Sequence, residues 1–248
     1  MSSTGISAVV FSVLFGSALF GVFLRKHLPD HHLTSEAKDT VKVAMGLVAT
    51  MTALVLGLLV AAAKGSYDTQ RAEVVQLAAK TAFLDRILEV YGPDSAESRG
   101  HLRMTLTAAE EKLWSPSPGS TDPAVGPGKA LYESLQALAP KTDAQRALRA
   151  QAASQVMDLG QIRFLLYEQS GSAISRPLLI IVISWLGFIF LSFGLFAPDN
   201  AVTLAALMVA ALSVAGSIFL IFELDRPFSG FIQIPPEILH HAVRPLQP

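Results

Sequence analysis

The chain has 248 residues, of which 51% are hydrophobic and only 16% charged, against about 25% charged in ordinary soluble proteins. A formal net charge of -1 offers no electrostatic handle for nucleic acid or an acidic substrate. Cysteine is absent, which excludes disulfides, thiolate metal sites and cysteine nucleophiles.

The apolar residues gather in blocks. A helix needs about 20 mostly apolar residues to cross the hydrocarbon core, and four stretches meet that requirement: residues 6–24, 43–63, 178–196 and 201–222. None carries a charge in its interior, so each is greasy all round and predicts a lipid-facing helix rather than a surface helix with a polar stripe. Ser2 to Thr4 supply no positive leader before the first stretch, and Arg25 and Lys26 follow it; it reads as a retained span, not a cleaved signal. The fold class is therefore all-α, a polytopic membrane protein. Residues 64–176 form a helical domain inserted between spans 2 and 3, and residues 223–248 form a tail.

Beyond Lys64 the second span continues as a helix, because Val74, Leu77, Thr81, Leu84, Leu88 and Tyr91 recur at steps of three and four and make a packing seam. Gly92-Pro93-Asp94 ends it. A second helix is predicted from about Ala96 to Trp114, with Leu102, Leu106, Ala109 and Leu113 on one face. Residues 115–128, rich in Pro and Gly, read as a loop. A short helix around Leu131, Leu135 and Leu138 is closed by Pro140. A longer one starts near Thr142, with Leu148, Ala152, Val156, Leu159, Ile162 and Leu166 as its apolar face. The inserted domain reads as an antiparallel helical bundle.

The third and fourth spans are joined only by Ala197-Pro198-Asp199-Asn200, which makes them an antiparallel hairpin. Positive charge near the span ends pulls two ways. Arg25 and Lys26 after the first span favour an outside N-terminus. Arg176 before the hairpin and Arg226 after it favour the opposite, as do Lys64 and Arg71 on the domain side. With Lys64 and Arg71 the hairpin side counts four positive residues against two, so both termini and the domain are expected in the cytoplasm.

Catalytic chemistry finds little footing, and the expectation is a protein that is not an enzyme, with no cofactor and no metal site. His27 and His31 have the spacing of two ligands on one helical face, but His27, His31 and His32 lie across the membrane from His101, His240 and His241 in this topology. Solvated or interfacial histidine is the plainer reading. No phosphate-cradling or nucleophile-elbow motif occurs. Ser184, Ser192, Ser213 and Ser217 read as membrane serines bonding back to their own helices.

The second span carries the most information. Gly46, Thr50, Ala53, Gly57 and Ala61 repeat at steps of four and three, forming a narrow small-residue face on a helix otherwise covered by Leu, Val and Met. Two readings are open: close packing against another helix, or the lining of a pore when several subunits ring an axis. At the domain-side ends of the spans, Lys64, Arg176, Glu223, Asp225 and Arg226 form a charge belt. It serves either to fix helix depth and cap helix ends or as a charged pore mouth. No acidic residue lies in the bilayer interior to carry protons.

Four segments, Leu28-Pro29-Asp30-His31-His32-Leu33, the run from Val41 to Met51, Lys64-Gly65-Ser66-Tyr67, and the run from Phe222 to Gly230, resemble the signature of the bacterial bestrophin-like family. The likeness spans nearly the whole chain, and the Phe222–Gly230 segment is its most specific part. It implies a relation to bestrophins, anion channels assembled as pentamers with four spans per subunit and cytoplasmic termini. Bestrophins line their neck with bulky apolar residues, whereas this second span offers Gly46, Thr50, Ala53 and Gly57. No acidic calcium clasp follows the last span, since Glu223 and Asp225 are succeeded at once by Arg226 and Pro227.

The expected function is a homo-oligomeric ion channel, pentameric by the resemblance, in a bacterial cytoplasmic membrane. Its partners are lipid, small ions and copies of itself. The pore is lined by the second span, and anion selectivity rests on the resemblance alone. The alternative is a non-conducting scaffold or sensor whose helical domain recruits a cytoplasmic partner.

Overall fold

A computed structural model describes residues 2–29, 34–115, 125–169, 174–198 and 200–243. The helices in chain order are α1 (Ser3–His27), α2 (Ser35–Tyr91), a 3-10 turn (Pro93–Ser95), α3 (Ala96–Trp114), α4 (Val125–Ala137), α5 (Asp143–Glu168), α6 (Arg176–Phe196), α7 (Ala201–Leu224) and α8 (Glu237–Val243). Four of them are long and apolar enough to cross a membrane: α1, α2, α6 and α7. The chain divides into two compact units, Met1–Tyr67 with Ser172–Arg226, and Asp68–Gly171 with Pro227–Pro248.

The first unit contains α1, the opening part of α2, α6 and α7. Its helix starts follow local chemistry. Ser2 caps α1 by accepting from the Gly5 amide at 3.2 Å, and Asn200 caps α7 by accepting from the Thr203 amide at 2.8 Å. Pro177 occupies the first turn of α6, where a missing N–H costs nothing. Leu14 and Ala18 of α1, Leu59 and Ala63 of α2, Val182 of α6 and Ala211 of α7 meet in one buried cluster. Lipid is as apolar as leucine, so such a cluster is held by close fit rather than by escape from water. The fit is tightest between α1 and α6, where a Cβ on Gly21 would run into the carbonyl oxygen of Leu191 and a Cβ on Gly194 into that of Ala18. Arg25, in the last turn of α1, donates through Nη1 to the carbonyl oxygen of Ala197, at the end of α6. The end of α1 and the α6–α7 turn therefore share one positive charge. Ser192, Ser213 and Ser217 donate to the carbonyls of Phe188, Val209 and Ser213, as membrane serines do.

The second unit is built from the remainder of α2 with α3, α4, α5 and α8. The seam read in the sequence is its core: Val74, Leu77, Leu84 and Leu88 are fully buried, as are Leu102, Leu106, Leu131, Leu135 and Leu166. Taken out of water, each such leucine stabilises the fold by roughly 1.5–3 kcal/mol. α2 ends at Tyr91 because Gly92 takes a φ of 111°, which a side chain would resist. Thr142 caps α5, accepting from the Gln145 amide at 3.1 Å. Asp85, nearly buried on α2, accepts from Arg99 of α3 at 2.6 and 3.1 Å. Lys80 of α2 forms an ion pair with Asp158 of α5. One sequence reading is corrected: α4 takes in Gly126, Pro127 and Gly128, which composition assigns to the loop. Pro127 falls in the first turn, the one place where a helix tolerates proline without loss. Residues 116–124 of that loop lie outside the described residues, as do Asp30, His31, His32 and Leu33.

Candidate functional site: the small-residue face of the second span

Advancing 100° per residue, the membrane part of α2 presents three faces. Thr52, Leu59 and Ala63 are buried and mark the core-facing side. Leu47, Met51, Leu54 and Leu58 are all more than half exposed and form a broad greasy side. Gly46, Thr50, Ala53, Gly57 and Ala61 form the third, and every one of them is exposed. Its centre stands about 140° from the core-facing side by helical geometry. A Cβ added at Gly46 or Gly57 meets nothing within 4 Å. Within one chain, then, this face packs on no other helix among the described residues. The Thr50 hydroxyl donates to the carbonyls of Gly46 and Leu47 at 3.2 and 2.8 Å, so the one polar side chain of the face is quieted by its own helix.

Lys64 lies one turn beyond Ala61 on the same face. It is exposed, and its Nζ stands 5.6 Å from the centroid of the Tyr67 ring, within cation–π range. Of the remaining belt residues, Glu223 is only 2% exposed. Asp225 follows α7 as its C-cap, its amide bonding back to the Ile221 carbonyl at 3.0 Å, and the Arg226 amide bonds to the Glu223 carbonyl at 3.2 Å. Lys64, Glu223, Asp225 and Arg226 all take part in further polar or ring contacts. Arg176 opens α6, and its side chain lies outside the described residues.

The three histidines whose side chains are described have other partners. His27 packs on the Phe23 ring at 4.3 Å, His101 lies 3.7 Å from Glu97, and His240 lies 3.0 Å from Glu110.

The family model for the Bestrophin-like domain matches residues 10–239. This chain belongs to the Bestrophin-like family. The match runs from within α1 to within α8 of the Bestrophin-like chain and takes in α2, α6, α7 and the Phe222–Gly230 segment. Three single-substitution variants of a bacterial bestrophin homologue from Klebsiella pneumoniae have similar structures. One has a TM-score of 0.75 at 13% identity, covering 99% of this chain and 97% of that one. The second scores 0.73 at 12%, covering 96% of each chain, and the third 0.72 at 14%, covering 96% and 97%. At such low identity the likeness carries the fold. No curated protein matches by sequence.

Sequence reasoning looked for close helix packing on α2 and missed it on α1 and α6. The signal was present: Ser17 and Gly21 stand four apart on α1, and Gly187 and Gly194 seven apart on α6, the small-residue spacing that brings membrane helices together. Ser17 Oγ lies 3.6 Å from where a Cβ on Gly187 would sit.

Proposed function

We propose that this Bestrophin-like chain is one subunit of an oligomeric ion channel, pentameric as in bestrophins, whose pore is lined by Gly46, Thr50, Ala53, Gly57 and Ala61. The observation that carries the reading is the position of Lys64 at the end of an exposed small-residue face. An ammonium group at the end of this face suits a pore mouth, where it meets passing ions, beside the depth-fixing role that lysine has at span ends. Symmetry would repeat Lys64 around the axis and favour anions, in keeping with the family resemblance. On this reading both termini and the second unit lie in the cytoplasm of a bacterial cell, with the spans in its cytoplasmic membrane. Arg176, Asp225 and Arg226 are assigned to the charged mouth, and the buried Glu223 to the interface behind it. Recording from the purified protein in planar bilayers tests the reading: unitary currents that vanish when Gly57 is replaced by a bulky residue support it.

A second reading, a non-conducting scaffold or sensor, draws on an apolar cleft of about 700 Å³ in the second unit, lined by Leu77, Leu102, Leu106, Val156 and Phe164. It requires the bulky substitution at Gly57 to disturb assembly with no conductance to lose.

A further inference from the structure

The segment after the last span is strapped onto α3. Phe228, Ile234 and Leu239 are buried, and the Ile234 amide closes the strap on the Pro227 carbonyl at 2.6 Å. Gly230, with a φ of 98°, supplies the left-handed turn that this closure needs. Two side chains of α3 hold it. Trp114 donates from Nε1 to the Ile234 carbonyl at 2.9 Å and meets the Phe228 ring edge-on at 5.2 Å. One turn earlier, Glu110 places a carboxylate oxygen 3.0 Å from Nε2 of His240 on α8. The ties made by Trp114, Phe228 and the Pro227 carbonyl involve no group that titrates near neutral pH. The tie to His240 is charged only when the imidazole is protonated.

We propose that the His240–Glu110 contact is a pH-sensitive latch that holds the strap of residues 227–240 on α3. On α3, Glu110 faces His240 directly and Arg103 lies two turns earlier on the same side by helical spacing, with Lys112 turned instead over the Tyr167 ring at 4.4 Å. On α8 itself, Glu237 precedes His240 by three residues and is exposed. An imidazolium beside Glu110 adds charge attraction to the hydrogen bond, and a neutral imidazole keeps at most the hydrogen bond. The strap is therefore held more firmly when the imidazole carries its proton and loosens when that proton is lost. With the His240 side chain 55% and that of Glu110 23% exposed, solvent limits the effect to about 1 kcal/mol or less, a change of up to about five-fold in strap opening.

The indole of Trp114 reports on the strap, and Trp185 is the only other tryptophan in the sequence. In the full-length Trp185→Phe protein, acrylamide quenching of Trp114 is expected to rise about two- to five-fold in effective opening between pH 5.5 and pH 8. His240→Gln and Glu110→Gln in that background are expected to sit at the high-pH level throughout. A His240→Gln protein that keeps the pH response, or a parent protein that has none, overturns the proposal. If Trp185→Phe fails to fold, fluorine NMR of 5-fluorotryptophan in the otherwise native chain separates the two indoles and reads the same opening at Trp114, with the same outcomes expected.

Discussion

Gly21 of α1 and Gly194 of α6 sit where the two backbones touch, so that a methyl group on Gly21 would overlap the Leu191 carbonyl and one on Gly194 the Ala18 carbonyl. Neither overlap can be relieved by a rotamer change, because backbone stands in the way. Gly194→Leu is expected to lower the stability of the membrane unit by about 3 kcal/mol or more, read as a fall in the thermal midpoint in detergent. Gly46→Ala and Gly57→Ala, where a Cβ finds open space, are expected to leave the midpoint of the dissociated subunit unchanged.

Within the second unit, Asp85 is buried by α2 and α3 with a side-chain exposure of only 9%, and Arg99 is its ion-pair partner. Arg99→Met leaves that carboxylate unpaired, and the expected loss is about 2–3 kcal/mol, measured by chemical unfolding followed through Trp114. Arg99→Lys is expected to recover only part of it, since a single ammonium cannot reproduce the two-pronged contact.

The alkaline limb of stability has its own signature. The hydrogen bond to Asp94, reinforced by its charge, raises the Lys141 ammonium above the ordinary lysine value. A raised value means that the paired form contributes fully below the ordinary range, near pH 10.4, and is lost as pH climbs through the folded value. The difference in unfolding midpoint between the native chain and Lys141→Met should therefore stay constant through neutral pH and shrink only above about pH 10. The Arg99 guanidinium, raised by its hydrogen bonds to Asp85, adds no pH dependence in that window.

Charge selection is the sharpest consequence of the placement of Lys64. If that residue ends the pore-lining face, Lys64→Glu reverses the sign of a ring at the mouth. The reversal potential under a salt gradient is expected to move toward the cation equilibrium value, with the effect weakening as ionic strength rises and screening shortens. Lys64→Gln should give an intermediate value.

Much of the fold is legible in the sequence itself, and for identifiable reasons. The membrane helices declare themselves because hydrocarbon forbids charge over some 20 residues, and the long continuation of α2 shows in the three-and-four spacing from Val74 to Tyr91. The loop boundary at Gly126 to Gly128 is misplaced by composition, which cannot tell a proline in a first helical turn from a proline in a loop. The α1–α6 contact escapes a spacing rule because small residues recur on α2 as well, and spacing cannot say which small face finds a partner in the same chain. Arg25 reads in the sequence only as a topological charge. That it meets the Ala197 carbonyl depends on how α1 and α6 lie side by side, which no local pattern encodes.

The central question is whether the Gly46 to Ala61 face lines an ion path. Single-channel recording of purified oligomers in planar bilayers decides it: unitary currents are predicted for the native chain, abolished by Gly57→Trp while the oligomer remains intact. Silence of the native protein under every ionic condition, with intact oligomers in the bilayer, would contradict it.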